Sequence, residues 1–180
     1  NYAKRKNINY LDLAESYNSH EKLKKIKLNN FKIILSFNLK KKNIKENYIK
    51  KKFFKILKTI KLKKIYCVML HDTANYNLKE LDIIFNKFQN LKKKKLVKKI
   101  GFSTYGQFMI NKIISNYNID VIQTTFNFFD NRILKKKIWF KLKQKKVSIH
   151  ARSIFLQGVL LKQKDELPKK LKVFYGHFFR

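Results

Sequence analysis

Apolar residues along this chain alternate between two rhythms. Short apolar runs sit at residues 9–14, 32–38, 65–72, 97–104, 120–127 and 147–154. Runs of that length with little polar interruption predict strands covered on both faces, as in a parallel sheet. Between them the apolar spacing lengthens to the helical period. Over 43–60, Ile49, Phe53, Ile56, Leu57 and Ile60 share one face. Asn43 with Glu46 reads as an N-cap and its capping-box acid. From Asn77 the signature returns. Glu80 follows at the capping-box spacing, and Leu78, Leu81, Ile84, Phe85, Phe88 and Leu91 form the buried stripe. Residues 107–117 and 133–143 predict shorter helices, and 21–28 a short helix between the first two strands.

Strand followed by helix, repeated along the chain, predicts right-handed βαβ units and an α/β fold. Two architectures share that pattern, an open doubly wound sheet and a closed barrel. No Gly-x-Gly-x-x-Gly follows any strand, and the chain has only four glycines, which disfavours the dinucleotide-binding open sheet. A TIM-type (β/α)8 barrel remains, with about six of its eight units. The 180 residues are few for a whole barrel, which typically takes about 250. Because the chain also begins at Asn1, the expectation is a single domain over 1–180 that is a fragment or a decayed copy of a barrel.

Charge complicates this picture. Forty-four Lys and Arg against eleven Asp and Glu give a net charge of +33. The direct physical reading is attraction to polyanions. The bland reading is codon drift. Lys, Asn, Ile and Phe, which have AT-rich codons, are abundant, while Gly, Ala, Pro and Arg are scarce. The lysine runs at 40–42, 50–52, 92–95, 98–99, 135–137 and 145–146 read as water-facing surfaces of helices and loops. Tyr2, Tyr10, Tyr66 and the many Phe residues read as core. The single cysteine, Cys67, lies among apolar neighbours and reads as a buried, inert thiol. His20, His150 and His177 show no ligand-like spacing, so no metal site is expected. With no long apolar run and no signal-peptide pattern, the default expectation is a cytoplasmic protein without a membrane partner.

Barrels of this type carry their chemistry at the carboxyl ends of the strands. Those ends offer Asp12, Ala14 and Tyr17; Ser36 and Asn38; His71 and Asp72; Ser103 and Thr104; Gln123, Asn127 and Asp130; and His150, Arg152 and Ser153. Acid, phenol, imidazole and amide on one face suit a neutral polar substrate and proton transfer.

These segments resemble the aldo-keto reductase family. Asn-Tyr-Leu-Asp-Leu-Ala-Glu-Ser-Tyr at 9–17 is similar to the stretch in which the family's aspartate and tyrosine stand five apart. Met-Leu-His-Asp at 69–72 resembles the strand end with the family's histidine, and Ile-Gly-Phe-Ser-Thr-Tyr at 100–105 its Ile-Gly-Val-Ser segment. Val-Ile-Gln-Thr-Thr-Phe-Asn-Phe-Phe-Asp-Asn-Arg at 121–132 resembles the strand that presents a glutamine to the nicotinamide. Ala-Arg-Ser-Ile-Phe-Leu-Gln-Gly-Val-Leu-Leu at 151–161 resembles the next strand and its cofactor loop. The resemblance implies hydride transfer from NADPH to a small-molecule aldehyde or ketone. Tyr17 would be the general acid, Asp12 its ionic support and His71 the group that orients the carbonyl. Ser103, Thr104, Gln123, Arg152, Ser153, Phe155 and Gly158 would hold NADP. It also implies that the barrel's first and last strands have no counterpart in this chain.

One departure bears on activity. Ser36 occupies the slot of the family's lysine, whose charge lowers the tyrosine pKa from its ordinary value near ~10. Lys40, four residues on, is the candidate replacement. Two alternatives therefore stand beside the reductase: a catalytically inactive barrel remnant, and a basic nucleic-acid-binding protein. The second has interleaved aromatics such as Lys51-Lys52-Phe53-Phe54 but no recognised motif, so no specific nucleic acid is expected. Substrate identity and oligomeric state are not encoded legibly.

Overall fold

The structure is a computed structural model that describes residues 2–15, 19–41, 44–173 and 176. Six strands run parallel: β1 (Tyr10–Ala14), β2 (Lys32–Phe37), β3 (Ile65–Leu70), β4 (Val97–Thr104), β5 (Val121–Thr125) and β6 (Ser148–Arg152). Helices α1 (Tyr2–Arg5), α2 (Ser19–Leu23), α3 (Glu46–Thr59), α4 (Leu78–Lys93), α5 (Gln107–Asn116), α6 (Lys136–Gln144) and α7 (Lys169–Lys172) accompany them. Sheet order equals chain order, β1 to β6. A doubly wound sheet reverses direction at a switch point, and this one does not.

The sheet curls. Strands β1 and β5 are separated by three others, so a flat sheet would hold them about 19 Å apart. Yet Gln123 Nε2 on β5 donates to Asp12 Oδ2 on β1 at 2.6 Å, and the Tyr10 and His150 rings of β1 and β6 meet edge to face. The result is an incomplete (β/α)8 barrel.

Alternation along each strand sorts side chains onto two faces. Leu13, Ile33, Leu35, Phe37, Val68, Leu70, Ile100, Phe102 and Ile122 point outward into the main core with the apolar faces of α3, α4, α5 and α6. On the inner face Ile34, Cys67, Met69 and Val121 form a second, small cluster. Cys67 is fully buried there, and burial pushes its thiol pKa up to about 12, which leaves it inert as a nucleophile.

Local chemistry explains where elements begin and end. At α4, Asn77 Oδ1 accepts from the Glu80 amide at 2.9 Å, and the Glu80 carboxylate accepts from the Asn77 amide at 2.8 Å, a complete capping box. The other expected box fares differently. Asn43 lies outside the described residues, and α3 starts at Glu46 behind Lys45, which makes no side-chain cap. Strand β3 stops at Leu70 because Asp72 adopts a left-handed conformation (φ 47°), its carboxylate capping the short turn Thr73–Asn75. Ile133 does not open α6. Asp130 grips Arg132 through side-chain contacts of 2.7 Å, holding a 3-10 turn over Arg132–Leu134. The helix expected at 21–28 is α2.

Asp120 ties three elements together. Its carboxylate accepts from Lys92 of α4 at 2.6 and 2.7 Å and from the Ile100 amide of β4 at 2.9 Å, just before β5. Gly101 allows β4 and β5 their close approach, since a Cβ there would overlap the Val121 carbonyl oxygen.

Two surface expectations fail. Lys98 and Lys99 lie within β4, and Lys99 points to the inner face, where its ammonium donates to Ser148 Oγ at 3.1 Å. Lys87 is buried, and Lys52 is half-buried against Glu15. Among the aromatics, Tyr2 and Tyr10 are exposed, as are Phe108, Phe128, Phe129, Phe140 and Phe155, while Tyr66 is half-buried. Tyr10 lies on the inner face, its ring against Tyr66. No helix among the described residues is long and apolar enough to cross a membrane.

Candidate active site

Parity and register place the polar strand-end residues. Asp12, Ser36, Ser103, Gln123, His150 and Arg152 fall on the inner-face parity of their strands. Ala14 pairs in register with Ser36, Ser36 with Met69, Ser103 with Gln123, Gln123 with His150, and Thr125 with Arg152. The curl then brings Asp12 onto Gln123.

Ser36 is buried, and its hydroxyl finds no partner among the described residues. Ser103 is fully buried with its hydroxyl in the same condition. Thr104, also buried, uses its hydroxyl locally to accept from the Gly106 amide at 3.3 Å. A buried hydroxyl without a partner is costly in a finished core and calls for an explanation.

His150 is half-buried, and its imidazole pKa is lowered by that burial. Asp12 opposes the shift and Lys99 adds to it. His71 stands just past β3 and is half-exposed, its amide donating to the Phe37 carbonyl at 2.8 Å. Tyr17 lies outside the described residues. Lys40 is exposed, and no hydrogen bond or ion pair joins it to Asp12 among the described residues.

At the other rim, Arg152 lays its guanidinium 3.8 Å from the centre of the Tyr105 ring. Nε and Nη2 of Arg152 are buried with no partner among the described residues. Stacking rather than ion pairing holds this planar cation. Tyr105 was not singled out from the sequence. Its signal was its place directly after Ser103-Thr104.

Buried Asn127 clamps two rim loops. Its Oδ1 accepts from the amides of Phe129 and Asp130 at 2.9 and 3.0 Å, and its Nδ2 donates to the Ser153 carbonyl at 3.1 Å. Beyond it, Ser153 (φ 55°), Leu156 (φ 47°), Gln157 (φ 56°) and Gly158 (φ 91°) turn the chain through left-handed backbone. Phe155 is exposed at this turn, and the Gly158 amide donates to its carbonyl at 2.9 Å. Ser153, Phe155 and Gly158 thus form one tight rim loop.

A further pair escaped the sequence reading. Glu15, directly after β1, makes an ion pair with Lys52 of α3, and its second carboxylate oxygen is buried with no partner among the described residues. This cation sits behind β1, bound to Glu15, not to Asp12.

Three comparisons bear on identity. The family model described as the Aldo/keto reductase family matches residues 1–173. No curated protein matches the sequence. Among solved structures, the aldo-keto reductase AKR11C1 from Bacillus halodurans in its holo form superposes with a TM-score of 0.78 at 20% identity, over 93% of this chain and 59% of that one. The glycerol dehydrogenase AKR11B4 from Gluconobacter oxydans gives 0.74 at 19% identity, over 93% and 57%. MGS-M4, an aldo-keto reductase from a Medee basin deep-sea metagenome library, gives 0.73 at 15% identity, over 97% and 64%. At these identities the structures share a fold with this chain, which spans less than two thirds of their length.

Proposed function

Because the chain belongs to the aldo/keto reductase family, we propose that it forms the nicotinamide-binding wall of an oxidoreductase that reduces a small aldehyde or ketone with NADPH. The observation that carries this reading is the set of unpartnered donors on the inner face and rim. The buried hydroxyl of Ser103 and the buried Nε and Nη2 of Arg152 have no partner among the described residues. They fit the carboxamide and face of a nicotinamide ring. Ser103, Thr104, Gln123 and Arg152 would hold the ring, and the loop of Ser153, Phe155 and Gly158 would lie along the rest of NADP.

The cofactor supplies the hydride; the protein supplies position and a proton. Tyr17 donates that proton to the carbonyl oxygen, and His71 orients the carbonyl by hydrogen bonding. A phenol needs a nearby cation to serve as an acid at neutral pH. Ser36 gives none, and Asp12 spends its carboxylate on Gln123. The site therefore binds better than it turns over.

A second reading, a barrel that holds the cofactor without turnover, is favoured by that same contact: Asp12 and Gln123 satisfy each other. NADPH consumption with a panel of small aldehydes separates the two. Consumption abolished by Tyr17→Phe supports the reductase. No consumption in the wild-type chain, with NADPH binding intact, selects the second reading.

A further inference from the structure

At the amino ends of the strands, opposite the rim just described, the inner face carries a second constellation. Lys32 opens β2, and its ammonium donates to the Tyr10 hydroxyl at 3.3 Å. Lys99 of β4 donates to Ser148 Oγ at 3.1 Å. Both ammonium groups lie 5.7 Å from the centre of the same ring, that of Tyr66. Lys32 is also 4.8 Å from the centre of the Tyr10 ring.

Two like charges gathered on one aromatic ring repel each other, and ring faces offset only a little of that cost. A carboxylate would neutralise them, but the recorded contacts of the nearby carboxylates go to other groups. Asp12 holds Gln123, and Asp120 holds Lys92 and the Ile100 amide. None of the recorded ion pairs among the described residues includes Lys32 or Lys99. Each ammonium has three donors, and the recorded hydrogen bonds of each go only to a neutral hydroxyl. The field reaches the phenols as well. The Tyr66 hydroxyl and then the Lys32 ammonium lower the pKa of Tyr10.

The pair does not stand alone. Lys32 and Tyr66 also line a cleft of about 830 Å³ at the amino ends of β2, β3 and β4. Lys61, Lys63, Lys64, Lys95 and Lys98 continue it outward, and no Asp or Glu lines it. Lys32 and Tyr66 belong to both groups, so the cleft adjoins the pair on the inner face.

We propose that this cleft is a binding site for a linear oligophosphate, whose terminal phosphate is held by Lys32 and Lys99 with the hydroxyls of Tyr10 and Ser148. The donors are ammonium and hydroxyl groups, which suit phosphate oxygens. A nucleic acid fits less well, because binding single strands relies on open aromatic faces for base stacking. The Tyr66 ring is taken, with Tyr10 packed edge-on at 5.4 Å and two ammonium groups beside it. This site is independent of the nicotinamide reading and survives its failure.

The test is calorimetric titration of the chain with inorganic tripolyphosphate at moderate salt. Lys32→Gln/Lys99→Gln is compared with Lys55→Gln/Lys58→Gln, a pair of equal charge in a lysine patch that shares only Lys61 with the cleft. The expected result is saturable binding, weakened ~10-fold or more by the first pair and little by the second. Equal weakening by both would reduce the cleft to diffuse charge and overturn the proposal. So would the absence of binding, or tighter binding of a single-stranded oligonucleotide of matched charge. Should the first pair not fold, acetylation of the wild-type chain gives the same answer. Tripolyphosphate should protect Lys32 and Lys99 well beyond Lys55 and Lys58, and uniform protection would sink the proposal.

Discussion

Gln123 and Asp12, 111 residues apart in the chain, meet side chain to side chain at 2.6 Å across the inner face. In the family pattern the aspartate supports a lysine and the glutamine a cofactor amide. Here Ser36 leaves the aspartate without a cation, and Gln123 satisfies it. On the proposed function, one substitution thus touches two functions: it removes the charge that would acidify the phenol, and it leaves Asp12 to engage the Gln123 Nε2.

Restoring the charge should reverse both effects. Ser36→Lys places an ammonium on the inner face beside Ala14 and Met69, able to compete for Asp12 and release Gln123. We expect carbonyl reduction to rise by ~10- to 100-fold in kcat, the lower part of what a tuned general acid contributes. Steady-state NADPH oxidation reads it. An unchanged rate in a folded variant would show that the missing charge is not what limits the site.

His150 should make stability depend on pH. Burial lowers its imidazole pKa below the ordinary 6.5, with Asp12 opposing and Lys99 adding to the shift. The unfolded chain therefore takes up the proton more readily than the folded one. Stability is complete above pH 6.5 and falls as the pH drops below it, down to the depressed folded value. Urea midpoints at pH 8 and pH 5 should differ more for the wild-type chain than for His150→Asn. Identical differences would remove His150 from the account.

Gly101 should tolerate no side chain. A Cβ would overlap the Val121 carbonyl, so Gly101→Ala must push β4 and β5 apart, at a cost of ~1–3 kcal/mol. Chemical denaturation measures it, and a variant as stable as the wild type would show that the strands yield freely.

Asp120→Ala strips the Ile100 amide of its recorded acceptor and leaves Lys92 unpaired. A loss of ~1–3 kcal/mol is expected. Asp120→Asn keeps an acceptor and should lose less. Equal losses would mean that the ion pair rather than the amide contact carries the stabilisation.

The strands were legible because each is a short apolar run, and their carboxyl ends singled out Asp12, Ser103, Gln123 and Arg152 as residues of one face. The capping box of Asn77 and Glu80 was legible for the same reason, being local. What the sequence hid depends on curvature. Nothing local says that Asp12 reaches Gln123, that Arg152 stacks on Tyr105, or that Lys99 turns inward while Lys98 turns out. Tyr10 misled because an aromatic at a strand start reads as core, whereas among the described residues it is exposed on the inner face. The lysine runs misled because position within a strand, not local charge density, decides which side a lysine faces.

The central claim is that the inner face binds a nicotinamide through Ser103 and Gln123. Titration with NADPH at moderate salt, read by cofactor fluorescence, tests it most directly, with Gln123→Ala as the comparison. The account predicts saturable binding that persists in salt and weakens in the variant. No binding, or binding that salt abolishes and Gln123→Ala leaves unchanged, would contradict it, because contacts to phosphate charge alone are lost steeply as salt rises.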